Sequence, residues 1–342
     1  MKLRKIIING KALAKRYKTG VQRYCIEILR ELDKISNEIN IEIVIPKYSD
    51  FNERYSNIEI IKYGKLQPNI WEQIELPRYV KKEKNAILVN LCNTSPLTRP
   101  DIVCIHDISF VKNFKFYPKK FAIWYYLNIK NAIKKSKKII TVSNFSKSEI
   151  EEYYNIKNVD VIYDSYEHIE RLKADYQILD KYKLKNEKYF FTLGTIQKNK
   201  NIEWIIEVAK RNPREQFVIT GYKNQKIKED VNNIVYTGYL KDEEIKALME
   251  KCKAYITPSL YEGFGIPPLE AFSLNKKILV SDIPVMHEIF EDEVTYFDPY
   301  SYEINLNEIK ESMNRKKILE KFSWKKSAEK LLKIIEEVDN KG

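Results

Sequence analysis

The chain has 342 residues, 44% of them hydrophobic and 12% aromatic, and a formal net charge of +12. That length suggests about two domains, since single cores stop growing near about 250 residues, and interspersed charge on an apolar-rich chain argues against wholesale disorder. The longest plain apolar run, Phe121–Leu127, is too short to cross a bilayer. The opening "MKLRKIIINGKAL" lacks the apolar centre of a secretory signal, so the expected location is the cytoplasm. Cys25, Cys92, Cys104 and Cys252 have no paired spacing, which implies neither a zinc site nor a disulfide framework. Cys252 reads as a small buried hydrophobe. A lysine-rich solvated surface is the first reading of the charge and an anionic partner the second. A nucleic-acid role rests on charge alone and matches no motif.

In chain order, strands are expected at "KIIING", "IEIVIPK", "IEIIKYG", "AILVNLC", "DIVCIHD", "KIITVSN" and "VDVIYDS". Further strands are expected at "KYFFTLG", "QFVITGY", "NIVYTGY", "KAYITPS" and "KILVSD". Most are near-continuous apolar runs, as in parallel strands covered on both faces. Between them lie helical stripes: Val21, Tyr24, Cys25, Ile28, Leu29 and Leu32 form one, Ile202, Ile205, Ile206 and Ala209 another. This alternation predicts an α/β architecture with parallel sheets. The polar stretch Tyr166–Lys188 breaks the rhythm and holds the expected boundary. It separates domains at 1–172 and 173–342, with a return of the last helix to the first domain as an option.

Only nine glycines occur in the chain, and five of them fall beyond second-half strands: Gly194, Gly221, Gly238, Gly263 and Gly265. Glycine there lets the backbone turn sharply or approach a ligand, and open α/β sheets bind ligands beyond strand carboxyl ends. Gly20, before the first helix, is the matching candidate in the other domain. In "PSLYEGFGIPPLEAF", Pro267-Pro268 marks a helix start, and Glu270 is expected in its first turn, beside orphan N–H groups that favour anions. A diphosphate fits those amides, and Glu262 and Glu270 fit vicinal hydroxyls, which donate to carboxylates in pairs. The plainer alternative makes Glu262 a turn residue and Glu270 a helix-start acid. His106, at the end of the strand in "CIHDISF", is a candidate site residue. His168 and His287 have no such context and read as structural or surface residues.

The nested string P-S-x-x-E-G-F-G-I-P-P-L-E-A resembles the donor-site signature of the retaining GT-B glycosyltransferases of family 4, the glycosyl transferases group 1 superfamily. "LGTIQKNKNIEWIIEVAK" is similar to that family's phosphate loop and following helix. "TGVQRY", "WEQIELP", "IHDISF", "TVSNFSKSEI" and the late "FSWKKSAEKLL" resemble its other landmarks. The resemblance implies a GT-B fold, two Rossmann-like parallel-sheet domains facing a central cleft. It also implies sugar transfer from a nucleotide diphosphate sugar to a glycan or lipid-linked acceptor, with retention, in surface polysaccharide or glycolipid assembly. It assigns Glu262 to the donor sugar hydroxyls, Glu270 to the ribose and Lys200 to the diphosphate. Gly20, Gly194, Thr195, Gly238, Tyr239 and the amides of Gly263, Phe264 and Gly265 fall on the donor side. His106 is placed near the reaction centre with Asp107 beside it. No resident cofactor or metal is implied, and no nucleic acid. Two departures stand out: Lys198-Asn199-Lys200-Asn201 replaces the frequent P-R-K-N, and Asp164-Ser165 replaces a common N-G. A nucleotide-sugar epimerase, or a silent partner of another enzyme, is the alternative. Phe121, Trp124, Tyr125, Leu127, Ile129 and Ile133 among Lys119, Lys120, Lys130, Lys134, Lys135 and Lys137 read either as a core helix with a lysine face or as a membrane-surface helix. The second adds an anionic membrane as partner and a peripheral location at its inner face.

Overall fold

A computed structural model describes residues 4–14, 19–83, 85–194, 197–221 and 231–340. The chain divides into two compact units, Met1–Asp164 with Ser323–Gly342, and Ser165–Phe322.

In the first unit the elements run β1 (Ile6–Asn9), α1 (Gly20–Ile35), β2 (Ile41–Ile45), β3 (Ile58–Lys62), α2 (Pro68–Lys82), β4 (Ile87–Asn90) and β5 (Ile102–Cys104). They continue as α3 (Lys119–Lys135), β6 (Lys138–Thr141), α4 (Asn144–Tyr154) and β7 (Val159–Val161). The sheet order is β3-β2-β1-β4-β5-β6-β7, and every pairing is parallel. Parallel neighbours need crossovers, and helices on the faces bury the strands from both sides. Hence β1, β2, β4 and β5 are buried at every residue, which is why they read as near-continuous apolar runs broken only by the buried Asn9, Glu42 and Asn90. The stripe of α1 packs inward as its spacing requires, with Tyr24, Ile28, Leu29 and Leu32 fully buried.

The second unit holds β8 (Tyr189–Leu193), α5 (Ile202–Arg211), β9 (Gln216–Thr220), β10 (Ile234–Gly238), α6 (Asp242–Lys251) and β11 (Ala254–Thr257). After these come α7 (Ile266–Ser273), β12 (Lys277–Ser281), α8 (Pro284–Phe290) and β13 (Thr295–Phe297). Its parallel sheet is ordered β10-β9-β8-β11-β12-β13. Twelve strands match the expected runs. The thirteenth, β13, escapes notice because three residues flanked by acids carry no period. It still completes the core, where Trp204 of α5 stacks on Phe297 at 4.2 Å.

The final helix α9 (Trp324–Asn340) belongs to the first unit. Its Trp324 is fully buried against Tyr24 of α1, 6.1 Å between ring centroids, and Ser327 Oγ donates to Tyr163 O at 2.7 Å. The expected boundary at residue 172 shifts to the Asp164/Ser165 junction. The reason is packing: Lys246 Nζ of α6 donates to the carbonyls of Glu170 and Leu172 at 3.3 and 2.9 Å. The connecting segment is thereby held on the second unit. All four cysteines are free and buried.

Candidate functional site

Each sheet reverses its direction of growth at one place, and the crevice beyond the strand ends there is where open parallel sheets take ligands. In the second unit that place lies between β8 and β11. The loop after β8 carries Gly194 and Lys200, and the loop after β11 carries Ser259 and Glu262. A backbone bond from Leu260 N to Asn199 O, 2.8 Å, ties the two loops side by side. Lys200 Nζ donates to Glu262 Oε1 at 2.6 Å, and Ser259 Oγ donates to the same oxygen at 2.6 Å. With side chains 26% and 13% exposed, lysine and glutamate both remain accessible. Lys198, two residues earlier, is exposed. A Cβ on Gly194 would make only ordinary van der Waals contact with the Lys200 chain, at 3.9 Å.

Glu262 leads into Gly263-Phe264-Gly265. Gly265 has φ +108, and a Cβ there would stand 3.0 Å from Met286 Cε; only glycine fits this turn without strain. The ring of Phe264 is buried edge-on to Phe322, centroids 5.4 Å apart. The helix that follows corrects an expectation. It begins at Ile266, so Glu270 is its fifth residue and lies beyond the first turn. Pro267 and Pro268 occupy positions whose N–H groups would be orphans. The amides of Gly265 and Ile266 are the donors left at that helix start.

Glu270 is 6% exposed, and its Oε1 accepts a hydrogen bond from Nε2 of His168, itself 2% exposed. Its other oxygen, Oε2, accepts none from the described residues. The Tyr255 hydroxyl of β11 sits among these groups. Burial first, and the Glu270 and Glu262 charges after it, push its pKa well above the usual tyrosine range. Leu193 N, at the end of β8, donates to that hydroxyl at 3.1 Å. Gly238 ends β10 and the exposed Tyr239 follows it, on the same strand-exit edge. Thr195 lies outside the described residues. At the opposite edge a cavity of ≈ 450 Å³ is lined by Lys253, Lys276, Lys277 and Arg315. There the lysines are already paired, with Glu215 at 2.9 Å, Glu187 at 3.5 Å and Glu311 at 2.9 Å.

In the first unit the reversal lies between β1 and β4, and its own side chains fill it. Lys11 Nζ donates to Glu72 Oε2 at 2.7 Å and to Thr94 Oγ1. Glu72 Oε1 takes Asn9 Nδ2 at 2.8 Å and Thr94 Oγ1 at 3.0 Å. Asn9 Nδ2 also donates to Asn90 Oδ1 at 2.9 Å, spanning the two strands. Glu72 is fully buried. This network accounts for the W-E-Q landmark. Trp71 Nε1 donates to Tyr63 O at 2.7 Å, and Gln73 joins Ser95 O at 3.0 Å and Leu97 N at 2.9 Å.

His106 follows β5 and is 6% exposed. Its Nε2 lies 2.9 Å from Leu91 O. A carbonyl only accepts, so Nε2 carries the proton and Nδ1 is left as an acceptor in the neutral ring. Burial lowers the His106 pKa, which favours that neutral form. Asp107 accepts from Ser109 N at 2.8 Å, a cap on the next turn. Gly20 opens α1 and is exposed.

The family description "Glycosyltransferase Family 4" matches residues 18–166, and "Glycosyl transferases group 1" matches residues 176–335. The chain belongs to the group 1, family 4 glycosyltransferases. This glycosyltransferase is 28% identical over 323 residues to "O-antigen chain mannosyltransferase RfbU" of Salmonella typhimurium, covering 86% of this chain and 87% of that one. It is 25% identical to "O-antigen chain mannosyltransferase B" of Escherichia coli, over 82% and 83% of the two chains. Sucrose-phosphate synthase from Thermosynechococcus elongatus superposes with a TM-score of 0.76 at 10% identity, covering 99% of this chain and 100% of that one. The fold is GT-B.

Two features of the glycosyltransferase escaped sequence reading. The Lys11–Glu72 network had one signal, the acid inside "WEQIELP", whose partners lie on other elements. His168 had none, since it meets Glu270 from 102 positions away. Asp164-Ser165, the departure from N-G, adopts no left-handed φ. Asp164 is instead buried, and burial pushes its carboxyl pKa well above the usual range.

Proposed function

We propose that this glycosyltransferase moves a hexose from a nucleotide diphosphate sugar to a hydroxyl of a glycan or lipid-linked acceptor, with retention, in surface polysaccharide assembly. The observation that carries it is the pairing of an accessible Lys200–Glu262 couple with Glu270 at the strand-exit edge where the second sheet reverses. Lys200 and the Gly265 and Ile266 amides meet the charge that develops on the leaving diphosphate, and such preorganised donors are often the largest catalytic contribution. Glu262 takes the donor sugar hydroxyls and Glu270 the ribose diol. His106 offers Nδ1 to a hydroxyl of the transferred sugar. In the transfer the anomeric carbon loses its bond to the phosphate oxygen and gains one to the acceptor oxygen, whose proton passes to the leaving phosphate.

The relatives' names make mannose the first sugar to test. A panel of GDP-, UDP- and dTDP-sugars, assayed for acceptor-dependent transfer with and without a chelator, tests the reading. Transfer with one donor, a retained anomeric configuration by NMR and indifference to chelator are expected. Epimerisation of a donor without any acceptor would overturn it.

The two carboxylates should separate kinetically. Glu270→Ala is expected to raise KM for the donor, because a ribose contact exists before and during transfer. Glu262→Ala is expected to lower kcat, its sugar contact tightening as the glycosidic bond breaks. Each loss is worth about 1.5–3 kcal/mol for a hydrogen bond to a charged group. Near-wild-type kinetics for both variants would show the roles to be misassigned.

The reading extends to an anionic membrane as a partner through α3. That helix buries Ala122, Asn128, Ile129 and Ala132, while Phe121, Ile123 and Leu127 face solvent at 40%, 51% and 53% exposure. Exposed Lys119, Lys120, Lys130, Lys134, Lys135 and Lys137 surround them, so apolar and cationic groups share one surface. Among the described residues no helix is long and apolar enough to cross a membrane. Sedimentation with anionic liposomes is expected at low salt and should fade as salt screens it. Each lysine adds about 1 kcal/mol, so changing Lys134, Lys135 and Lys137 to glutamine should release the protein. Equal binding by that variant would refute the membrane role.

A further inference from the structure

We infer that His168 is a positioning residue for the donor site: it fixes the Glu270 carboxylate so that Oε2 is presented to the ribose diol of a nucleoside diphosphate. The inference rests on the proposed role of Glu270 and adds a residue outside the matched signature. Three observations support it. His168 Nε2 donates to Glu270 Oε1, with both residues more than nine-tenths buried. Within the described residues Oε2 accepts no hydrogen bond, so one oxygen is held and the other remains to accept. The turn bearing His168, Glu167–Glu170, is itself pinned by Lys246 Nζ through the Glu170 and Leu172 carbonyls. The imidazole is thereby a fixed donor, and a fixed carboxylate loses less rotamer freedom when it takes a ligand.

The obvious alternative is that the pair merely anchors the connecting segment to α7. Three variants in the full chain separate the two. His168→Phe keeps the ring's bulk and removes the donor, His168→Gln restores an N–H at a similar reach, and Glu270→Ala removes the acceptor. Binding of GDP and UDP is measured by calorimetry, KM and kcat with the active donor sugar, and melting temperature by scanning calorimetry.

His168→Phe is expected to weaken binding of the preferred nucleoside diphosphate about tenfold, with a matching rise in donor KM and little change in kcat, as loss of one hydrogen bond to a charged group predicts. His168→Gln is expected to recover most of that affinity. A lowered melting temperature with unchanged nucleotide affinity in His168→Phe, while Glu270→Ala loses affinity, would overturn the positioning role and leave the donor site standing. Unchanged affinity in Glu270→Ala would overturn the ribose assignment itself, and the role of His168 with it. If His168→Phe fails to fold, His168→Leu takes its place under the same criteria: about tenfold weaker nucleotide binding in a stable variant supports the inference, and unchanged affinity overturns it.

Discussion

Lys200→Ala is expected to lower kcat about 10²- to 10³-fold, the usual cost of removing one preorganised donor from a developing anion. The lysine stands where the second sheet reverses, 2.6 Å from Glu262 Oε1. Its removal takes away the charge that would meet the diphosphate and strands a carboxylate held otherwise by Ser259 Oγ. Lys198→Ala is the control. Lys198 is exposed on the same short turn, and its loss is expected to leave kcat within about twofold, since surface charges away from special contacts contribute little. Steady-state kinetics of the two variants with the active donor decide the matter. A larger loss in Lys198→Ala would mean that Lys198 has taken over from the arginine absent at this position.

The second large effect falls on stability. Glu72→Ala is expected to destabilise the first unit by about 3–5 kcal/mol, because it leaves a buried ammonium without its counter-charge. Lys11 then has Thr94 Oγ1 as its remaining side-chain acceptor, and Asn9 and Thr94 lose the oxygen they share. The paired change Lys11→Met with Glu72→Leu removes both charges together and should recover much of the loss. Urea unfolding followed by circular dichroism reads the midpoints. Equal midpoints for Glu72→Ala and the wild type would show that the network contributes no net stability. The pair also differs from Lys200–Glu262 in exposure: Glu72 is sealed at 0%, whereas the Glu262 side chain stays 13% open. One reversal point is closed by its own side chains, and the other remains open to a ligand.

Much of the architecture was legible along the chain because its signals are local. A parallel strand covered on both faces must be apolar without alternation, so β1, β2, β4 and β11 announced themselves. A helix on a sheet must carry a stripe, so α1 and α5 did too. The turn before α7 was equally readable, because φ +108 at Gly265 and two prolines in a first turn leave few alternatives. Family membership followed from such strings, since a loop that shapes a site is contiguous.

Pairings between distant segments were decided by the tertiary structure alone. The extent of α7 moved Glu270 out of the first turn, and the start of a helix is set by packing as well as by its prolines. The connecting segment went to the second unit because Lys246 caps its carbonyls, and α9 went to the first because Trp324 finds Tyr24. A three-residue strand such as β13 has too little length to show a period and exists through its neighbour β12. His168 carries no mark in its own surroundings, because its donor role is defined by a carboxylate 102 positions away. Periodicity and turn chemistry act over a few residues and are written in sequence. A buried hydrogen bond between two segments depends on where both backbones come to rest, and only the folded chain fixes that.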